Sequence, residues 1–297
     1  MWRRNVSIFL LLLTTASFAH AREEHLVYQG RMLVANLELA EGKSLRDGVV
    51  LMTHGTLAHG RMEIMSALQG LLKERGINSL SITLSLNQND RHGMYDCAQP
   101  HTHKHTDALD EIGLWLAWLK RQDAGRVTLL GHSRGGNQTA WFASERDDSA
   151  IQNVVLIAPA TWNAKHEVAD YQQRYHKDLK TVYERALKLV KQGKGDTLMP
   201  HTDFIYCPDT TVSAAAFVNY YKDDKRRNTP NLLKKIPKPV LVIAGSEDTV
   251  VKDLIPAVKK VADGKHVKLV VIDGADHFFR DLYAEDAADR IAEFMAQ

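Results

Sequence analysis

The chain is sparing with the residues that define several protein classes. Two cysteines in 297 residues rule out a disulfide-dense scaffold, and a chain of this length can bury a core without one. Eight prolines and 18 glycines exclude a collagen-like repeat. Charge of one sign is also missing. The formal net charge is +2, from 38 basic and 36 acidic residues, and taking away Arg3 and Arg4 from the N-terminal segment balances it. A neutral chain lacks the polybasic footprint of a nucleic-acid or anionic-lipid binder. Beyond the N-terminus no apolar run approaches the ~18–20 residues that span a bilayer, so stable membrane insertion is not expected. What is present is ordinary globular composition, 44% hydrophobic and 25% charged, which excludes general disorder.

Residues 1–21 read as an export signal. Arg3 and Arg4 form a positive start, Val6 to Leu13 is a short apolar run, and Ala19-His20-Ala21 is an A-x-A cleavage site. Cleavage after Ala21 leaves a mature chain, 22–297, that is exported to the periplasm or secreted. Export makes Cys97 and Cys207 candidates for a disulfide, the alternative being two free thiols.

After an entry strand pair, strands and helices alternate. Val49 to Met52 is a continuous apolar run, as a buried parallel strand requires, and Ile77 to Leu84, Val127 to Leu130, Val154 to Ile157, Val240 to Ile243 and Val267 to Ile272 read as further strands. Between them, Ile64, Met65, Leu68, Leu71 and Leu72 keep helical spacing, as do Leu109, Ile112, Leu116 and Leu119, and a last helix carries Ala287, Ile291 and Phe294. The pattern predicts an α/β fold: a mostly parallel central sheet flanked by helices. From about 160 to 237 no strong strand stands out. Val168, Tyr171, Tyr175, Leu179, Val182 and Val190 share one helical period that Gly193 ends, so this stretch reads as a mostly helical cap above the sheet.

Gly131-His132-Ser133-Arg134-Gly135 fits G-x-S-x-G at the end of one strand and the start of a helix, the context in which a tight turn lifts a serine clear of the sheet. A serine hydroxyl needs a base, and the base needs a carboxylate. His277 follows the last strand and Asp248 follows the strand before it, giving the chain order Ser, Asp, His. Glu247 and Asp276 are neighbouring rivals for the acid.

These motifs resemble the α/β-hydrolase fold superfamily, from about Gly48 to the end except the insertion. The resemblance implies a Ser133 nucleophile, a His277 base and an Asp248 acid. It implies an oxyanion hole from the N–H of Arg134 and of Thr56 or Leu57, in a His54-Gly55-Thr56-Leu57 loop after the first central strand. His54, Gly55 and Trp162 are expected beside the substrate. The expected activity is serine hydrolysis of a carboxylic ester or related acyl bond in a small molecule, with no cofactor and no metal. Amide, thioester, lactone or perhydrolysis chemistry on the same residues, and a non-catalytic binding protein of the same fold, are the alternatives.

Two further features attract attention. His101, His103 and His105 alternate in a way that suits a metal ligand set on a strand, but the segment follows Pro100 and reads as a loop near the site entrance. The Arg134 side chain stands next to the nucleophile, free either to attract an acidic substrate or to pair with a local carboxylate.

Overall fold

The computed structural model describes residues 21–297, so the expected leader lies outside the described residues except for Ala21. The chain enters as an antiparallel pair, β1 (Arg22–Tyr28) and β2 (Arg31–Glu38), turned at Gln29-Gly30, both with positive φ. Then come β3 (Val49–Thr53), α1 (Glu63–Glu74), β4 (Ser79–Thr83), α2 (Asp107–Arg121), β5 (Val127–His132), α3 (Arg134–Glu145) and β6 (Ile151–Ile157). The insertion holds α4 (Ala164–Tyr175), α5 (Leu179–Lys191), β7 (Leu198–Phe204), β8 (Cys207–Ser213) and α6 (Ala214–Tyr221). The chain closes with β9 (Val240–Gly245), α7 (Leu254–Lys259), β10 (Val267–Ile272) and α8 (Leu282–Met295).

One eight-stranded sheet runs in the order β1-β2-β4-β3-β5-β6-β9-β10, and only β2 opposes its neighbours. Every residue of β3, β4, β5 and β9 is buried; β3 and β9 are accordingly apolar almost throughout, while β4 alternates Leu80 and Ile82 with the small Ser79, Ser81 and Thr83. Helices cover both faces, with α1 against α8 and α2 against α3. Because the central strands are parallel, the loops after β3, β5, β9 and β10 all leave from one edge, where ligands of open α/β sheets bind.

The insertion departs from expectation in two ways. The single helical period is two helices, broken at His176 in the left-handed region and restarted by Asp178, whose carboxylate caps the N–H groups of Lys180 and Thr181. The insertion also contains the β7–β8 hairpin. Its strands carry Pro200 and Pro208, alternate irregularly between buried and exposed, and shift register twice, so they leave no apolar run to read.

The insertion is anchored to the sheet domain by covalent and polar contacts. Cys97 and Cys207 form a disulfide with Cα atoms 5.4 Å apart. His101 pairs by backbone with β8, donating to Thr211 O (2.8 Å) and accepting from Ser213 N (2.9 Å). The His101, His103 and His105 side chains are buried, so they do not line an entrance. His101 Nδ1 meets His103 Nε2 (3.2 Å), His103 Nδ1 meets the Tyr220 hydroxyl (2.9 Å), and His105 Nε2 meets Asn137 Oδ1 (3.0 Å). They join α6 of the cap to α3 beneath it. Among the described residues no group of three or more His, Cys, Asp or Glu is arranged to hold a metal ion, and no helix is long and apolar enough to cross a membrane.

Burial dominates the protonation of these rings. It holds His101 at about 4 and depresses His103 and His105 well below the usual histidine range. Such a ring stays neutral in the folded protein and takes a proton in the unfolded chain, so its contribution is complete above about 6.5 and is lost as pH falls toward 4. Glu111, pushed up to about 7 by burial, and Asp107, also raised by burial, work in the opposite sense but are outnumbered by the three histidines. Stability measured by urea unfolding should therefore fall steeply between pH 6.5 and 4; a flat profile over that window would contradict the neutral buried cluster.

Candidate active site

At the end of β5 the backbone turns sharply through Ser133, with φ 56° and ψ −123°. A non-glycine residue there costs about 1–3 kcal/mol and persists only when its surroundings hold it. Here Ser133 N donates to Ile157 O (3.0 Å), and Ser133 O accepts from Ala160 N (2.8 Å). The flanking glycines are required by space. A Cβ on Gly135 would lie 2.2 Å from His54 O and 2.5 Å from Thr53 O, and one on Gly131 would lie 2.5 Å from Thr139 Oγ1. The absence of those side chains lets α3 start against the end of β3.

The turn delivers the serine hydroxyl to His277. His277 Nε2 stands 2.9 Å from Ser133 Oγ, and His277 Nδ1 stands 2.7 Å from Asp248 Oδ2. His277 is 5% exposed. The other Asp248 oxygen accepts from the N–H groups of Val250 (2.7 Å) and Val251 (3.0 Å). Burial opposes ionisation of Asp248, but the hydrogen bonds from His277, Val251 and Val250 outweigh it and hold the carboxyl below its usual range. With its Nδ1–H given to Asp248, His277 presents Nε2 as acceptor for the serine proton. The rivals are elsewhere. Asp276 accepts from Phe278 N and Phe279 N in its own loop and pairs with Arg280, and Glu247 is exposed.

The loop after β3 passes directly beside the nucleophile: a Cβ on Gly55 would be 3.2 Å from Ser133 Cβ. Thr56 Oγ1 accepts from Arg134 Nε (2.9 Å), tying together the two segments expected to supply the oxyanion donors. The N–H of Arg134 opens α3, where helix donors lack intrahelical acceptors. Leu57 adopts positive φ, and its carbonyl is held by Tyr95 N (2.8 Å).

His54 requires a correction. It is fully buried and does not meet the cleft. Its Nδ1–H donates to Gly55 O (2.8 Å), which leaves Nε2 to accept from Leu84 N (3.0 Å). Burial, reinforced by Arg91, keeps this ring neutral, far below the usual histidine range. It braces the loop from within.

Sequence reasoning missed the residues that support this loop. Arg91 is 6% exposed, and its guanidinium donates to the carbonyls of Leu84, Gly93 and Ala58. Glu111 accepts from Ser85 N (2.8 Å) and Ser85 Oγ (2.5 Å) in the same loop. His132, the residue before the serine, directs Nε2–H to His277 O (2.9 Å) and so holds the base's own backbone; burial, helped by His277, keeps His132 at about 4. Only His132 had a signal, its place inside G-x-S-x-G.

Trp162 lies in a cleft of about 540 Å³ between cap and sheet edge, with Arg134 from the nucleophile turn and Thr249 and Val250 from the acid loop. This size suits a small organic ligand. Trp141 is buried in the core. A second groove of about 550 Å³ sits at the opposite end of the strands, around Gly48, Asn78 and Pro239, away from Ser133.

A parallel sheet with a strained serine between strand and helix, and a histidine and an aspartate from the last two strand ends, defines an α/β-hydrolase fold. The chain belongs to the alpha/beta hydrolase family, which it matches over residues 50–294. No curated protein matches it significantly by sequence. Among solved structures it is similar to Est1E from Butyrivibrio proteoclasticus, at 20% identity and TM-score 0.63, covering 92% of this chain and 97% of that one. It is similar too to a monoacylglycerol lipase from Paleococcus ferrophilus, at 18% and 0.58, covering 88% and 97%. An alpha-beta serine hydrolase homologue from Coxiella burnetii matches at 13% and 0.55, covering 92% and 96%. At these identities the likeness is one of fold.

The close packing at the turn yields a test. Gly135→Ala should destabilise the protein by about 3 kcal/mol, because its methyl group meets two backbone carbonyls that cannot step aside. An unchanged urea midpoint would show that α3 can retreat from β3.

Proposed function

We propose that this protein is a serine hydrolase that cleaves a carboxylic ester or related acyl bond in a small molecule. The observation that carries this reading is the continuous row from Ser133 Oγ through His277 to Asp248, with bonds of 2.9 and 2.7 Å. Ser133 Oγ attacks the acyl carbonyl carbon as His277 Nε2 takes its proton. Asp248 holds the imidazole and stabilises its charged form. The N–H of Arg134 and one from Thr56 or Leu57 receive the oxyanion, each donor worth about 3–4 kcal/mol in the transition state. The tetrahedral intermediate collapses, His277 protonates the departing oxygen, and an acyl-enzyme remains on Ser133. Water then gives a proton to His277 and attacks the acyl carbon; the bond from Ser133 Oγ to that carbon breaks, His277 returns the proton to Ser133 Oγ, and the acid is released. No cofactor enters these steps.

We assign the protein to an exported compartment on two supports: the signal-like residues 1–21 and a disulfide, which persists where the surroundings are oxidising. Intact mass of the protein recovered from the producing cell should correspond to a chain starting at Arg22; a mass retaining residues 1–21 would contradict this.

The chemistry is tested with p-nitrophenyl acetate. Ser133→Ala and His277→Gln should each lower kcat by about 10,000-fold, and Asp248→Asn by a similar factor, with folded spectra unchanged. Ser133→Ala retaining a tenth of wild-type turnover would sink the proposal.

A further inference from the structure

The wall of the cleft that Arg134 lines, one residue on from Ser133, holds more hydrogen-bond donors than the described residues supply acceptors for. Arg134 gives its Nε–H to Thr56, and its guanidinium lies over the Tyr220 ring, 5.3 Å from Cζ to centroid. Among the described residues no carboxylate pairs with it, which answers the question its position raised in the sequence. Arg227 lines a narrow inner extension of the cleft together with Arg134 and Tyr220. It is 4% exposed, and its Nε–H has no acceptor among the described residues. The Nη1 donates to Lys222 O at 3.4 Å, and Nη2 stands 3.6 Å from Glu167 Oε2, beyond hydrogen-bond length. Its guanidinium stacks on Trp162 at 5.2 Å, and the buried Trp162 Nε1–H also lacks an acceptor among the described residues.

The carboxylates around the cleft are mostly committed. Asp170 takes Arg174 through both oxygens at 3.1 Å, and Asp253 accepts from Thr161 Oγ1 at 2.5 Å. Glu167 alone faces Arg227. Counting every charged lysine, arginine and carboxylate on the walls, four cations (Arg134, Arg174, Arg227, Lys252) face three carboxylates (Glu167, Asp170, Asp253), with His166 on the rim. A buried guanidinium with an idle donor is costly unless an acceptor arrives. A carboxylate is the group whose two oxygens match that fork.

We infer that the substrate carries a second, non-scissile carboxylate, which Arg134 and Arg227 bind while Ser133 attacks the acyl bond. The inference rests on the serine-hydrolase reading and adds a substrate class to it: small monoesters of dicarboxylic acids or close relatives. Burial, the larger cause, and the nearby Arg134 hold Arg227 down to about 10, which still leaves it charged at neutral pH.

The test compares kcat/KM for mono-p-nitrophenyl glutarate with that for p-nitrophenyl pentanoate, its uncharged match in chain length. Wild type should prefer the anionic ester by at least about tenfold, and the preference should shrink in high salt. Arg227→Gln and Arg134→Gln should each bring the ratio close to one, chiefly through KM, and Arg227→Lys should keep part of it. The ratio is the readout because Arg134 also supports the oxyanion loop. If Arg227→Gln does not fold, Arg227→Lys and Arg134→Gln carry the comparison. A wild-type ratio of one or less, with both esters hydrolysed, would overturn the inference and leave the hydrolase reading intact. Loss of both activities together with no fluorophosphonate adduct on Ser133 would overturn both. If an adduct forms but neither ester turns over, glutarate should slow labelling of wild type more than pentanamide does, and lose that advantage in Arg227→Gln; equal protection by the two would overturn the inference.

Discussion

The carbonyl oxygens of Thr53 and His54 occupy the space where a side chain at position 135 would stand. That exclusion is the constraint on which the site depends. It lets α3 begin against the end of β3, and this close approach forces the backbone at Ser133 into the left-handed region. The same approach brings the loop after β3 beside the serine and the first N–H of α3 beside that loop. One steric fact thus sets Ser133 and both candidate oxyanion donors. The strain is held by ordinary hydrogen bonds from Ser133 to Ile157 and Ala160, both at the end of β6 or just beyond it.

The second requirement is rigidity in loops that have no ladder of their own. The protein meets it with buried polar groups. Arg91 spends its donors on three carbonyls, His54 bridges Gly55 and Leu84, and His132 grips the backbone of His277. A buried charge or imidazole is expensive in isolation and affordable when its partners are all in place. The cap is held in a related way, by the Cys97–Cys207 disulfide and by histidines that stay neutral because they are dry. These features link the candidate site to pH through the fold: acid protonates the unfolded chain and loosens the cap and the loops around Ser133 together.

Much of this was legible in the sequence because the signals are local and repetitive. The apolar runs from Val49, Val127 and Val240 had to be buried strands, and G-x-S-x-G between a strand and a helix placed Ser133. Strand order then singled out Asp248 and His277 as residues that one sheet edge brings together. What escaped has a common physical cause. The β7–β8 hairpin is short, proline-bearing and irregular, so its strands rest on His101 and the disulfide more than on apolar pattern. Arg91, His54 and the histidines 101, 103 and 105 look like solvent-facing or ligand-binding residues by type. Their burial depends on contacts between segments far apart in the chain, and no periodicity reports that. Arg227 is the sharpest case: in sequence it belongs to a mixed-charge run that reads as surface, yet its side chain lies almost wholly buried in the cleft wall.

The central claim is that Ser133 is an activated nucleophile, and intact mass after exposure to a fluorophosphonate tests it most directly. Wild type should gain a single adduct, and Ser133→Ala none, under the same exposure. A folded wild-type protein that gains no adduct, or a Ser133→Ala variant that is labelled as readily, would contradict the account.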